Sequence, residues 1–183
     1  MPFDPTKPAA NSPNSSAEMR AQLTALKALI DAVPVPATVT YGRVAADWTS
    51  GSATFSDVGG LAFAVGAGEN WTAELVLHCV SGTTGQGLKF RVNGPGAGSV
   101  MIGMQGTGSS GSSTIECEVQ TAFGVASPAK TFCPGSSLTG MVRVHVTVIN
   151  ATAGTVQLQA SNSSGSGTVT IKANSDLVAR KTG

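Results

Sequence analysis

Glu116 and Glu118 are the two residues whose type and spacing come nearest to acid–base chemistry in this chain. A pair of carboxylates can hydrolyse a glycosidic bond when one carries a proton and the other stays ionised. These two lie two positions apart in a segment of alternating apolar residues, which predicts a strand that turns both side chains to one face. Because no third polar residue indicates a cleft, we expect a solvated strand face and no catalytic centre.

The other residues that could do chemistry are three cysteines and two histidines, none of them in a metal-ligand spacing such as CxxC or HExxH. Cys79 and Cys117 fall on the apolar side of strand patterns, where a free cysteine behaves as a small hydrophobe. Cys133 precedes a Pro-Gly turn, and we expect it to be exposed. The sequence therefore predicts no metal site.

A literal GxGxxG pattern runs from Gly106 to Gly111. In dinucleotide-binding folds this pattern opens a helix whose N-terminus holds the pyrophosphate. Residues 114–119 instead alternate as a strand does, so we expect a loop between strands and no cofactor. Neither the GxSxG nucleophile motif nor the GxxxxGK[ST] phosphate loop occurs, which also argues against an enzyme.

Aromatic residues are the remaining candidates for a binding site, because their rings can stack on a ligand. Of Tyr41, Trp48 and Trp71, we single out Trp48 and Trp71 as candidate glycan contacts, although Trp more commonly packs in a core or an interface. Aromatics make up 5% of the chain and the net charge is +1, without a basic patch. This composition argues against nucleic-acid binding.

The sequence predicts one helix, which lies N-terminal to these aromatic residues and ends before the prolines at 34 and 36. Ser15 and Glu18 fit a capping box, and the helix formers after them predict a helix over residues 15–33. Its apolar residues recur at a 4-3-4-3 spacing, which defines a coiled-coil seam: Met19, Leu23, Leu26, Ile30 and Val33. We expect this seam to mediate oligomerisation by bundling with other copies of the chain; the alternative is that it packs on the chain's own β-domain.

The segments that flank the helix contain little to pack. Residues 1–14 carry four prolines and one large apolar residue, Phe3, so we expect either an extended attachment arm anchored by Phe3 in another protein or a disordered leader. Residues 34–37 form a linker. The N-terminal residues do not resemble a signal peptide, and no apolar run approaches the ~18 residues that span a bilayer, so we expect no membrane insertion.

Residues 38–183 show the period-two pattern of a mainly β domain, with Gly- and Ser-rich turns between strands. We expect an antiparallel jelly-roll-type β-sandwich, preceded by the one N-terminal coiled-coil helix. Two strands have apolar residues on both faces. Met101 lies on the face opposite that of Ile102, and Met141 and Ile149 lie on the face opposite that of a row of valines. Such strands are buried on both faces, which predicts a covering loop or a second subunit. The expected core positions are Leu61, Phe63, Val65, Leu75, Leu77, Cys79, Leu88, Phe90, Val92, Ile115, Cys117, Val119, Val142, Val144, Val146, Val148, Val156, Leu158, Val169 and Ile171.

Several segments resemble virion proteins of tailed phages and prophages. The leader of tail-fibre or head-fibre-like proteins is resembled by residues 1–8, 11–13 and 26–32. A β-module recurrent in phage structural proteins is resembled by residues 44–47, 53–58, 60–65, 67–71, 88–95, 169–173 and Leu177. The resemblance implies a homotrimer on a capsid or tail, and no catalytic residue carries over from it. We therefore expect a non-enzymatic virion fibre or decoration protein, assembled in the host cytoplasm and attached to a capsid or tail protein. The alternative is a glycan-binding module for host-surface recognition.

Overall fold

The first element is the helix α1, Ser16–Asp31, which begins at the capping box that the sequence predicts. The Ser15 hydroxyl accepts a hydrogen bond from the Glu18 backbone N–H at 3.2 Å, and Glu18 Oε2 accepts one from the Ser15 N–H at 3.0 Å. These two bonds satisfy backbone donors that the start of a helix leaves unpaired. In the last turn, Lys27 and Asp31 form an ion pair at 2.7 Å.

This computed structural model describes residues 15–32, 38–82, 86–108, 115–125, 131–133 and 140–183. The predicted arm 1–14 with Phe3, the seam residue Val33 and the whole predicted linker 34–37 lie outside the described residues. The chain divides into two compact units, Met1–Pro36 and Ala37–Gly183. No helix in the described ranges is both long and apolar enough to cross a membrane.

The second unit is built from antiparallel strands, which confirms the mainly β prediction. Their bounds within the described residues are β1 Val39–Arg43, β2 Trp48–Ser50, β3 Ser56–Val65, β4 Trp71–Ser81, β5 Leu88–Asn93, β6 Ala97–Thr107, β7 Ile115–Gln120, β8 Gly140–Ala151, β9 Gly154–Asn162, β10 Val169–Ile171 and β11 Asp176–Lys181. Eight strands form one sheet in the order β1-β11-β4-β8-β6-β7, with β10 paired to β4 and β2 paired to β10. The other three form a sheet ordered β3-β9-β5.

The core lies between the two sheets, because each sheet turns one apolar face to the other. Phe63 of the smaller sheet packs on Trp71 of the larger one with ring centroids 5.6 Å apart. Nearby, Leu61, Phe63, Val92, Val156 and Leu158 of the smaller sheet meet Leu75, Val146 and Leu177 of the larger one. The predicted core positions in β3, β4, β5, β8, β9 and β10 are all buried, as the alternation indicates.

A bulge in β3 brings the smaller sheet close to β1. The pairing of β3 with β9 shifts register between Asp57 and Ala62. Within this shift Gly60 has φ +83°, and a Cβ there would overlap the carbonyl oxygen of Arg43. Glycine is therefore required at this close approach of two strands.

Candidate functional site

The helix presents its seam as an uncovered apolar stripe. None of its residues is buried, and the described seam residues are 42–62% exposed: Met19, Leu23, Leu26 and Ile30. Leu29 widens the stripe and is also exposed. An apolar stripe of this kind leaves a row of hydrophobic side chains in contact with water.

A second apolar surface is the outer face of the larger sheet, which we define as the side of β4, β6, β7 and β8 turned away from the core. The residues that the sequence predicts to be apolar on the side opposite the core lie here: Met101, Met141 and Ile149 are 57%, 45% and 48% exposed. This part of the prediction is confirmed. The covering partner that the pattern requires stays a prediction.

The side chains of strand β7 lie on the opposite faces of the sheet from those that the sequence predicts. Its register with β6 places Glu118 opposite Met104 and Glu116 opposite Gly106, both on the core side. The predicted core residues of β7 therefore lie on the outer face, where Ile115 and Val119 are 67% and 68% exposed and Cys117 is also exposed. The expectation of a solvated carboxylate face was wrong, because both glutamates are half-buried on the inner side.

The outer face contains a shallow depression, the Gly103 hollow, of about 310 Å³. Gly103 lies between His145 of β8 and Val119 of β7, and a side chain at this position would meet nothing within 4 Å. Cys117 and Val119 line one side of the hollow, and Glu74, Arg143 and His145 line the other. An adjoining depression of about 330 Å³ extends the surface towards Ile115 and Met141. Together they form a surface that can accept protruding apolar side chains.

The charges on this face are of both signs and are spread out. Arg143 lies 3.9 Å from Glu74, and both side chains are more than half exposed. His145 pairs across the sheet with Glu74 on one side and Gly103 on the other. Such a face is not adapted to a strongly acidic or strongly basic partner.

Trp71 belongs to the core and not to a binding surface. Its ring is buried against Phe63, and its indole N–H donates to Glu69 at 2.8 Å. Glu69 also accepts from Lys181 Nζ at 2.8 Å and from the Gly66 N–H at 2.6 Å. These donors, Lys181 first, lower the pKa of Glu69 to about 2. The candidate glycan role of Trp71 was therefore wrong, because the ring cannot reach a ligand.

Trp48 lies at a surface depression, the Trp48 groove, of about 320 Å³. The ring is half-buried, and its N–H donates to the Asp57 carbonyl at 3.1 Å. Arg43 and Asp47 also line the groove; Arg43 donates to the Asn174 side chain. Asp47 accepts from Lys172 Nζ and the Ala173 N–H, each at 2.8 Å, and the Lys172 bond is the main reason its pKa is lowered.

The cysteines differ from their predicted placement in two of three cases. Cys133 is buried and not exposed, because its N–H bonds to Thr107 and its neighbour Phe132 bridges to Leu88. Cys79 is buried as expected; burial first, and then a hydrogen bond with Cys133, raises its pKa well above the usual range. Cys117 is the exposed one. Among the described residues, no cluster of three His, Cys, Asp or Glu side chains could hold a metal ion.

The GxGxxG segment leads into a strand as predicted, since β7 follows at Ile115; residues 109–114 lie outside the described ranges. Sequence reasoning missed the Gly103 hollow and the Glu69 cluster. The apolar set in β7 was visible in the sequence, but the side of the sheet on which it lies was not.

Comparisons with known proteins give only distant matches. No protein-family model and no curated protein sequence matches the chain. Among solved structures, the VP2 subviral particle of infectious bursal disease virus is similar at 11% identity and TM-score 0.25, covering 80% of this chain and 37% of that one. The Gx strain structure of the same virus gives 9% identity and TM-score 0.24, with 80% and 36% coverage. The chain thus spans little over a third of these proteins' length, and TM-scores this low do not establish a shared fold.

Proposed function

We propose that this chain is a non-enzymatic structural protein of a virion, a homotrimeric fibre or decoration protein that displays a β-domain and is attached to a capsid or tail protein by its N-terminal arm. The observation that carries the oligomer is the capped helix α1 with its uncovered seam. The virion role rests on the resemblance of the leader and the β-segments to phage structural proteins. A jelly-roll-type connectivity of the β-domain is part of this proposal.

The physical argument begins with the length of the helix. Its 16 residues span about 24 Å, and an isolated helix of this length is marginal in water. Removing Leu23, Leu26 and Ile30 from water in a bundle supplies the free energy that the isolated helix lacks. The capping box supports the same conclusion, because it fixes the start of the helix just before the seam begins.

The test is the native mass of the full chain, measured by light scattering after size exclusion. We expect about three times 18.3 kDa for the wild type. Leu23→Glu places a charge in the seam and should lower this mass to that of a monomer. Ala21→Glu introduces the same charge on the face of the helix opposite the seam and should leave the trimer intact. A monomeric wild type would contradict the proposal, and a dimer would contradict its threefold symmetry.

A second candidate function is glycan recognition at the Trp48 groove. The observation that favours it is a half-buried tryptophan in a depression that also holds Arg43 and Asp47. An aromatic surface next to hydrogen-bonding groups suits a sugar ring, which has an apolar face and a polar edge. The pairing of Arg43 with Asn174 and of Asp47 with Lys172 limits what these two side chains can offer a ligand.

A further inference from the structure

We propose that a second copy of this chain covers the outer face around the Gly103 hollow when the protein assembles. This inference rests on the proposed function in one respect: it takes the oligomer for granted and assigns the β-domain surface that takes part in it. The helix seam and this face would then be two separate contacts between copies.

The first argument is that the helix alone is a small interface. Its seam covers about two heptads, and each copy contributes only five side chains to it. Stable protein interfaces bury about 800 Å² on each partner. A trimer that is held together by three 16-residue helices is therefore more stable if its β-domains also contact one another.

The second argument is that the outer face is apolar where it is concave. Ile115, Val119 and Met141 are 67%, 68% and 45% exposed and lie around two adjoining depressions. A side chain at Gly103 would meet open space, so a protruding side chain from another molecule can enter there. Exposed apolar surface of this kind is a liability for a protein that stays alone in water.

The third argument concerns the edge of the sheet. Among the described strands, β7 lies at an edge of the larger sheet, where a partner strand could extend the sheet by pairing with it. Glu116 and Glu118 oppose this, because both point to the core side of the edge strand. A second copy of β7 paired there would bring four carboxylates close together on a poorly solvated face. The contact is therefore directed to the outer face and away from the edge.

The fourth argument identifies the occupant. Glu74, Arg143 and His145 mix both signs of charge around the hollow, and Arg43, Asp176 and Arg180 continue the mixture on the outer sides of β1 and β11. The whole chain has a formal net charge of +1. A surface of the same protein has the same weak and mixed charge, so another copy complements it better than a nucleic acid or an acidic protein does.

Cys117 provides the test, because it lines the hollow and is the exposed thiol, whereas Cys79 and Cys133 are buried. The rate at which a maleimide probe labels Cys117 is measured on the full native chain, in the wild type and in Leu23→Glu, beside the native mass of each. We expect the wild-type trimer to be labelled about tenfold more slowly than monomeric Leu23→Glu, as for a face that is open about a tenth of the time or less.

A trimer whose Cys117 reacts as fast as in the monomer would overturn this inference and leave the helix bundle standing. A monomeric wild type would overturn both proposals. Slow labelling in the wild type and also in monomeric Leu23→Glu would overturn the inference too, because the chain's own residues would then cover the thiol.

A second pair of variants tests the face without the thiol. Val119→Asp should weaken association, seen as a lower native mass on dilution, while Ala64→Asp, an exposed strand position on the smaller sheet, should not. If Leu23→Glu stays trimeric and its Cys117 is still labelled slowly, the outer face holds the copies together without the seam, which supports the contact at this face. The labelling rate of the trimer is then compared with that of Val119→Asp as the monomer. Equal native masses for Val119→Asp and Ala64→Asp would contradict it.

Discussion

The indole N–H of Trp71 donates a 2.8 Å hydrogen bond to Glu69, and this bond holds the ring in the core and joins it to the end of β11 through Lys181. A tryptophan that looked like a ligand contact is thus a structural residue. Trp71→Ala should lower the free energy of unfolding by about 3–5 kcal/mol, the usual cost of removing a large buried aromatic. Urea denaturation measures this; a loss below about 1 kcal/mol would contradict the core assignment.

Glu69 should make the protein acid-sensitive. Its pKa is lowered from 4.5 to about 2 in the folded state, so its ionised form stabilises the fold above pH 4.5, and this contribution is lost as the pH falls from 4.5 towards 2. We expect Glu69→Gln to be less stable than the wild type at pH 7 and the gap to narrow by pH 3. Urea midpoints at both pH values test this. A stability difference of equal size at pH 7 and pH 3 would contradict the role assigned to Glu69.

Gly60 should not tolerate a side chain. Gly60→Ala should destabilise the protein by about 2 kcal/mol or more, because a left-handed backbone costs an alanine about 1–2 kcal/mol and the added Cβ would overlap the Arg43 carbonyl. The neighbouring Gly59→Ala is a matched control, since a Cβ there meets nothing within 4 Å. Thermal denaturation of both variants is the measurement, and equal melting temperatures would contradict the close approach.

Ser15→Ala should weaken both the helix and the trimer. Loss of the cap costs about 1 kcal/mol for each helix, so three copies lose about 3 kcal/mol of association free energy. Circular dichroism at 222 nm and the native mass on dilution measure the two effects. Ser16→Ala, inside the first turn, should change neither by a comparable amount; if both variants behave alike, the capping box does not contribute as argued.

Trp48→Ala tests the second candidate function. If the protein binds glycans through the Trp48 groove, the variant should lose at least about 1 kcal/mol of affinity for a sugar that the wild type binds. A glycan array identifies the sugar, and calorimetry compares the two proteins. Tyr41→Ala is the control, because Tyr41 is exposed and does not line the groove. An array without any hit would count against glycan recognition and would leave the structural proposal untouched.

The features that the sequence predicts correctly are local ones. The capping box at Ser15 needs only residues three apart, and the valines of β8 alternate so regularly that their common face was evident. In both cases the controlling contacts lie within one segment, so the pattern contains the information.

The features that were mispredicted depend on long-range register. Alternation in β7 shows that Ile115, Cys117 and Val119 share a face, but only the pairing of Glu118 with Met104 shows that this face is the outer one. A shift of one residue in the pairing of β7 with β6 would place the apolar residues on the core side and the glutamates on the outer face. The burial of Cys133 likewise comes from a bond to Thr107, made across the fold and invisible in the local sequence.

The position of β11 has a consequence for how the protein is made. This strand, Asp176–Lys181, lies inside the larger sheet, with β1 on one side and β4 on the other. During synthesis, β4 therefore leaves the ribosome about 100 residues, and β1 about 130 residues, before the strand that joins them. Sheets with such distant pairings fold slowly, and their unpaired edges can aggregate in the meantime. We expect a nascent chain truncated before Asp176 to depend on chaperones to remain soluble.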